Sequence, residues 1–242
     1  MKIIHQDLLT TVEENNNFYF RNILLKMAAL VAIFGFSGCR QPDFDFQKLE
    51  IKKKESMLMK KTIFFKNKVY PEATRIAENG DIITRMGTDI TSIMLSKINP
   101  TDSSYSHCGI ISIENDSVFV YHSIGGEFNP NQKLRRDPLY IFALPADCKR
   151  LGIFRPTLTK SQQVALCAYV KKLYKIGLPF DMDFDLDTDE RQYCTEMVAK
   201  SIGTIIGRKD WVATLQSDSF RFIPVENIYH NPMVTEKKRF VY

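Results

Sequence analysis

Two short segments of this sequence contain the residue types of nucleophilic catalysis. Residues 193–198 read YCTEMV and place Cys194 at the start of a predicted helix, just after an Asp-rich segment. Residues 106–110 read SHCGI and place His107 at the start of a predicted apolar strand. A thiol at a helix N-terminus is stabilised as the thiolate, and an imidazole nearby can act as its base. Cys194 and His107 are therefore a predicted nucleophile–base pair; a buried structural cysteine and a core histidine are the alternatives.

A base of this kind needs a third polar group that orients its ring. Beyond residue 39, the histidines are His107, His122 and His230. A predicted turn at residues 114–116 joins the strands that carry His107 and His122, so the two rings are expected on adjacent strands. On this pattern, His122 is the predicted orienting group.

The elements that must position these residues follow an α+β pattern, with helices at the ends and a meander of short strands between them. Strands are predicted at residues 81–85, 108–113, 118–122, 139–144 and 151–154. Helices are predicted up to residue 78, at 92–96, from a capping box at Thr159 and Gln162 to Gly177, and from 194 to about 202. The polar residues 129–137 are predicted to form a surface loop near the site.

Residues 181–190 read DMDFDLDTDE and invite comparison with a calcium-binding loop. Leu186 stands where an EF-hand loop requires Gly, and Gln192 stands where it requires a bidentate Glu. Alternation of Asp with Met, Phe and Leu is instead typical of an extended segment with one buried face. We therefore favour a solvated, structural role over calcium binding.

The remaining cysteines do not form a zinc-binding pattern. No two of them have the CxxC spacing, and Cys108 on an apolar strand and Cys167 on a helix face are predicted to be small buried core residues. Neither a metal nor any other cofactor is predicted.

The N-terminal residues have the order expected of an export signal. Basic residues precede an apolar run at 27–36, and Ser-Gly-Cys39 follows it. The run is too short for a bilayer-spanning helix, which needs about 20 apolar residues, and is typical of a secretory signal. We predict a lipoprotein-type signal peptide at residues 1–38, a lipidated Cys39 and tether at residues 39–62, and one domain at residues 63–242. The alternative is a buried helix followed by an unmodified cysteine.

The charge pattern bears on possible partners. The 242 residues have a formal net charge of +5, and lysines at 52–54 and 60–61 hold much of the excess. Such a run is usually a solvated face or tether, and no nucleic-acid motif with interleaved aromatic residues lies beside it. Nucleic acid is therefore not a predicted partner, whereas membrane attachment is expected through Cys39.

Five sequence blocks together resemble one known family. They are GDIITR at 80–85, SHCGII at 106–111, GLPFD at 177–181, YCTEMV at 193–198 and IPVENI at 223–228. In this order they resemble the YiiX-like (permuted papain-like) branch of the NlpC/P60 cysteine hydrolase superfamily, over roughly residues 78–232. The resemblance implies a circularly permuted papain-like fold, with a central antiparallel sheet or barrel packed against helices and with the histidine ahead of the cysteine in the chain.

The resemblance also implies roles for individual residues. It makes Cys194 the nucleophile and His107 the base. The third polar position, often Glu in this branch, falls on His122, with Glu114 and Glu127 as alternatives. Glu196 belongs to the motif and is expected to be structural.

The function implied is hydrolysis of an amide through an acyl-enzyme on Cys194. A peptidoglycan peptide and an N-acyl amino acid are the candidate substrates, and residues 94–95 and 124–129 are expected to shape an apolar slot. The alternatives are a non-catalytic binding lipoprotein of the envelope and a lipid acyltransferase that uses the same Cys–His pair. The expected location is the bacterial cell envelope, as a periplasm-facing or outer-membrane lipoprotein.

Overall fold

The structure is a computed structural model that describes residues 44–125, 129, 131–216 and 221–242. The chain divides into two units between Lys54 and Glu55. Helix α1 (Phe44–Phe64) crosses this division, and its side chains from 48 to 60 are exposed. The predicted signal peptide and Cys39 lie outside the described residues, and from residue 44 onward the predicted tether is helical.

The other elements follow in chain order. They are a π-helical turn (Phe65–Val69), α2 (Tyr70–Ile76), β1 (Ile82–Gly87), α3 (Ile90–Lys97), β2 (His107–Glu114), β3 (Ser117–His122), β4 (Arg135–Pro138), α4 (Leu139–Phe142), β5 (Cys148–Pro156), α5 (Lys160–Ile176), α6 (Cys194–Ile206), β6 (Leu215–Gln216), β7 (Arg221–Phe222), α7 (Val225–Tyr229) and β8 (Val234–Val241).

Six of the strands form one antiparallel sheet in the order β4-β3-β2-β1-β5-β8. The sheet is open, with β4 and β8 at its edges, and is not closed into a barrel. Strands β6 and β7 form a separate two-stranded ribbon. The predicted α+β class and the central antiparallel sheet are confirmed.

Side chains alternate between the two faces of the sheet, so each face has its own core. Ile82 and Ile110 lie on one face, in the core that includes residues of α5 and α6. Ile83 and Ile111 lie on the opposite face, in the core that includes residues of α2 and α4. Because both faces are covered, the central strands β2 and β5 are buried at most of their positions.

Local sequence signals account well for α5. Thr159 and Gln162 form the predicted capping box, in which the backbone N–H of Gln162 donates to the Thr159 hydroxyl and that of Thr159 donates to the Gln162 side chain. The helix ends at Gly177, whose φ of 67° lies in the left-handed region that favours glycine.

Two predictions between β3 and β5 are wrong. The predicted surface loop at 129–137 contains edge strand β4, which begins at Arg135. The predicted strand at 139–144 is the short helix α4. In α4, Leu139 and Phe142 are buried three residues apart while Tyr140 and Ile141 are exposed, which is the pattern of a helical turn. Strand β4 was not predicted from hydrophobic periodicity because its half-buried positions are mostly charged.

The Asp-rich segment is not extended as predicted. It consists of bends and turns, and Phe184 has a positive φ of 54°. The carboxylate of Asp181, which is only 2% exposed, accepts hydrogen bonds from the backbone N–H groups of Asp183 and Asp185. The segment is thus organised around one buried carboxylate by local Asx-type hydrogen bonds.

Candidate active site

Cys194 is the first residue of α6, and contacts on both sides of it fix the start of this helix. The Thr195 hydroxyl donates to the carbonyl of Ile223 at 2.7 Å, and the Tyr193 hydroxyl accepts from the Ile223 N–H at 3.1 Å. The Glu196 carboxylate accepts from the backbone N–H of Tyr193 at 3.1 Å. Cys194 is half-buried between these buried neighbours, so the position of its thiol is fixed.

The two predicted histidines lie side by side on neighbouring strands. Nε2 of His107, at the start of β2, is 2.9 Å from Nδ1 of His122, at the end of β3. Their rings meet edge-on, and both pack against the ring of Phe142. The exposed fractions of His107 and His122 are 8% and 1%, so the hydrogen bond between the rings is shielded from water.

His107 also lies close enough to the thiol of Cys194 for each group to shift the pKa of the other: the thiol acts to raise the pKa of His107, and the imidazole acts to lower that of Cys194. Because His122 engages Nε2 of His107, Nδ1 is the ring nitrogen left for the sulfur. Helix α6 packs on β2, and this packing brings Cys194 close to the first residue of β2, which is His107. The structure therefore brings all three predicted site residues together.

Cys108 lies next to Cys194 in the site, a proximity that the sequence did not predict. It is fully buried beneath α6, as expected of a core residue, but its thiol also interacts with that of Cys194. The interaction with Cys108 is the largest cause, and together with that of His107 it lowers the pKa of Cys194 well below that of a free thiol, against the opposing effect of burial. Burial raises the pKa of Cys108, which therefore stays protonated and can donate.

Burial has the opposite effect on the two histidines. It lowers the pKa of His107 and of His122 to about 4, although Cys194 and Asp137 respectively act to raise them. Both rings are therefore neutral near pH 7. A neutral His107 can take a proton from the thiol.

Asp137 is the site residue that the sequence analysis missed. Its Oδ2 lies 3.1 Å from Nε2 of His122, and its Oδ1 lies 2.8 Å from a guanidinium nitrogen of Arg135. Burial acts to raise the pKa of Asp137, but the hydrogen bonds and charges of His122 and Arg135 outweigh it and lower this pKa to about 2. No apolar periodicity marks Asp137, because all four residues of β4 are half-buried and three of them are charged.

The two glutamates held as alternatives to His122 do not take its place. Glu114 is bound by the Arg136 guanidinium at 2.6 Å and by the Tyr121 hydroxyl at 2.8 Å. Since Tyr121 and His122 are successive residues of β3, their side chains lie on opposite faces of the sheet. Glu127 lies outside the described residues.

The remaining sequence blocks hold the elements around the site. Asp81 is buried and paired with Arg155 at 2.8 Å. Arg85 donates to the carbonyl of Phe142 at 2.9 Å, and its guanidinium lies over the ring that packs on both histidines. Glu226 accepts from the backbone N–H groups of Thr101 and Asp102, in the loop that leads to His107.

Across the described ranges, no group of three or more His, Cys, Asp or Glu side chains is arranged to hold a metal ion. This includes the Asp-rich segment, whose buried carboxylate is occupied by backbone N–H groups.

A histidine-bearing antiparallel sheet that precedes a cysteine-bearing helix defines a permuted papain-like protein. The family described as "permuted papain-like amidase enzyme, YaeF/YiiX, C92 family" matches residues 77–220, and the chain belongs to it. The YiiX-like resemblance seen in the sequence blocks is thereby confirmed.

Relatives in Escherichia coli agree with this assignment. The chain is 27% identical over 134 residues to the protein of strain K12 described as "Uncharacterized protein YiiX", a match that spans 54% of this chain and 60% of that protein. The fold is similar to a crystal structure described as metalloprotein YiiX from strain O157:H7, with a TM-score of 0.56 and 18% identity, over 68% of this chain and 98% of that one. In the described part of this chain, no three His, Cys, Asp or Glu side chains are grouped to hold a metal ion.

Proposed function

We propose that this protein is a cysteine amidase that works through an acyl-enzyme on Cys194. The observation that carries the proposal is the position of His107, which hydrogen-bonds to His122 through Nε2 at 2.9 Å and lies close enough to the Cys194 thiol to lower its pKa. A base held from both sides is the arrangement that an activated thiol nucleophile requires. Membership of an amidase family supports the same reaction class.

The mechanism follows from these contacts. His107 takes the proton of Cys194, and the sulfur attacks the carbonyl carbon of the substrate. The oxyanion accepts a hydrogen bond from the backbone N–H of Cys194, at the positive end of α6. His107 then gives its proton to the leaving amine as the C–N bond breaks. Water, deprotonated by His107, attacks the thioester and releases the acid and the free thiol.

For the substrate we propose an N-acyl amino acid. Helix α3 begins just after β1, at the end of the sheet where Arg85 pairs with His107. Three of its apolar side chains, Ile90, Ile93 and Met94, are exposed. An apolar surface next to a hydrolytic site suits the acyl chain of such an amide. A peptidoglycan peptide, which has no acyl chain, is the second substrate to test.

The first experiment measures the reactivity of Cys194 against pH. Iodoacetamide labelling is mapped by mass spectrometry in the wild type and in His107→Ala. We expect fast labelling of Cys194 well below the pKa of a free thiol, about 8.5, and its loss in the variant. Labelling at the rate of a free thiol in both proteins would count against an enzyme and in favour of a binding module.

The second experiment measures turnover. Long-chain N-acyl amino acids and peptidoglycan peptides are incubated with wild type and with Cys194→Ala. Release of free fatty acid by the wild type alone would support the proposal. Release of amino acids from the peptides alone would replace the substrate and keep the reaction. Transfer of the acyl group to an added amine or alcohol would identify an acyltransferase.

We propose further that the protein is attached to the cell envelope through a lipid on Cys39. The order of basic residues, apolar run and Ser-Gly-Cys supports this. In the described part of the chain, none of the helices has the length and apolar character needed to cross a bilayer. Cys39→Ser should move the protein from the membrane fraction to the soluble fraction. An unmodified Cys39 in the mass spectrum of the wild type would contradict the proposal.

A further inference from the structure

We propose that Asp137 is a positioning residue that sets the protonation pattern of both histidines, so that His107 presents an unprotonated nitrogen to Cys194. The proposal rests on the proposed function, because it assigns a role within the same reaction. It adds a fourth member to the predicted set of Cys194, His107 and His122.

The pairing of β3 with β4 brings Asp137 to His122. His122 lies opposite Arg135, and Asp137 is two residues further along β4 and therefore on the same face of the sheet. This makes His122 and Asp137 a diagonal cross-strand pair, a spacing that long or aromatic side chains can bridge. The distance from Nε2 of His122 to Oδ2 of Asp137 is 3.1 Å, and the side chains are 1% and 13% exposed.

Arg135 keeps Asp137 a pure acceptor. The guanidinium binds Oδ1 of the carboxylate at 2.8 and 3.2 Å, which leaves Oδ2 for His122. With a pKa lowered to about 2, the carboxylate is ionised at any pH where the protein is expected to work. An ionised carboxylate has no hydrogen to donate, so the hydrogen in the contact with His122 must come from the ring.

The ionised carboxylate of Asp137 then decides which nitrogen of His122 carries the hydrogen, and His122 in turn decides this for His107. A neutral imidazole carries one N–H, and His122 must place it on Nε2, facing Asp137. Nδ1 of His122 is then an acceptor, so Nε2 of His107 must be the donor across the 2.9 Å contact. This leaves the lone pair of His107 on Nδ1, where it can receive the proton of Cys194. Without the carboxylate, each ring could adopt the other tautomer, in which His107 presents an N–H to the thiol.

Asp137→Asn is the most direct test, because the Asn side chain has the same size and shape as that of Asp but replaces one acceptor oxygen with an NH2 donor. The acceptor oxygen of the amide pairs with Arg135, so its NH2 group faces Nε2 of His122 and favours the opposite tautomer in both rings. The matched control is Glu114→Gln, which removes a carboxylate paired with Arg136 on the other face of the sheet. Asp137→Glu restores an acceptor and should recover part of the activity.

Two readouts are taken. The first is kinetic: Asp137→Asn should lower kcat by roughly tenfold or more with KM unchanged, while Glu114→Gln stays near wild type. The second is nitrogen-15 NMR of the histidine side chains. It should show Nε2–H in both rings of the wild type and Nδ1–H in Asp137→Asn.

The NMR readout needs no turnover, so it separates this proposal from the proposed function. If the wild type turned over no amide and yet showed Nε2–H in both rings, the amidase proposal would fail and the role of Asp137 in tautomer selection would stand. A wild type whose neutral His107 carries its hydrogen on Nδ1 instead of Nε2, or an Asp137→Asn variant with unchanged tautomers and kcat, would overturn the role of Asp137. The NMR spectrum also reports whether each variant is folded.

Discussion

The hydroxyl of Ser123 donates a hydrogen bond to the backbone carbonyl of Gln192 at 2.5 Å. Ser123 follows His122 at the end of β3, and Gln192 precedes Cys194 by two residues. This buried contact joins the histidine-bearing part of the site directly to the cysteine-bearing part. It links two segments that are far apart in the chain.

Ser123→Ala should loosen that link. It leaves a buried carbonyl without its partner, which costs about 1–3 kcal/mol. We expect a lower free energy of unfolding and a lower kcat, both measured on the purified variant. Ser112→Ala, at a fully buried serine further along β2, is the control. An equal loss of kcat in both variants would show that the contact has no special role.

The three predicted site residues should differ in their effect on turnover. Cys194→Ala should abolish hydrolysis, His107→Ala should nearly do so, and His122→Ala should cost less because an orienting group acts through the base. His230→Ala is the control, since His230 is half-exposed and its ring lies 3.6 Å from the carboxylate of Asp102, which is not one of the predicted site residues. Rates are measured on a verified amide substrate. Turnover like that of wild type in Cys194→Ala would end the proposed mechanism.

Gly109→Ala should disturb the histidine pair. A Cβ at this position would lie 2.7 Å from the Tyr121 carbonyl oxygen and 2.9 Å from the Cβ of His122. We expect a loss of stability of about 1–3 kcal/mol together with a fall in kcat. In Gly207→Ala the backbone has a φ of 71°, so stability should fall, but no atom lies within 4 Å of the added group. If kcat fell equally in both, crowding at His122 would not be the cause.

Cys108→Ala should raise the pKa of Cys194. The variant removes the thiol hydrogen that stabilises the Cys194 thiolate, so labelling by iodoacetamide below the pKa of a free thiol should slow several-fold. Cys108→Ser keeps a hydrogen-bond donor and should restore most of the rate. The prediction fails if the pH profile of Cys194 labelling is the same in Cys108→Ala and wild type.

Acid should destabilise the fold through the two buried rings. The pKa values of His107 and His122 are about 4 in the folded protein, whereas an imidazole in the unfolded chain has a pKa of 6.5. Between these values the unfolded chain binds more protons, so the free energy of unfolding falls as pH drops from 6.5 to about 4. The loss is at most roughly 3 kcal/mol for each ring.

Denaturant unfolding at pH values above 6.5 and near 4 measures this loss. The part of this loss that the two imidazole rings cause is the difference between the loss in wild type and the loss in a variant with both histidines replaced by glutamine. A variant with the same pH dependence as wild type would contradict the assignment to His107 and His122.

The sequence by itself determined the local parts of the molecule. Helix α5, with its capping box and terminal glycine, follows from side chains next to the backbone groups that they cap. Cys194 at a helix start and His107 at a strand start were likewise predicted, because each position is marked by its immediate neighbours. Five blocks in the right order were also sufficient to identify the family.

Only the tertiary structure decided which residues complete the site. Asp137 reaches His122 through the register of β3 with β4, and Cys108 reaches Cys194 through the packing of α6 on β2. Neither the Asp137–His122 contact nor the Cys108–Cys194 contact is indicated by local periodicity. The sequence of β4 is typical of a polar loop, and Cys108 has the surroundings of an apolar core residue. The physical reason is that hydrophobic patterns report which face of an element is buried. Which residues of two distant segments meet depends on pairing register and packing, and a short stretch of sequence does not specify either.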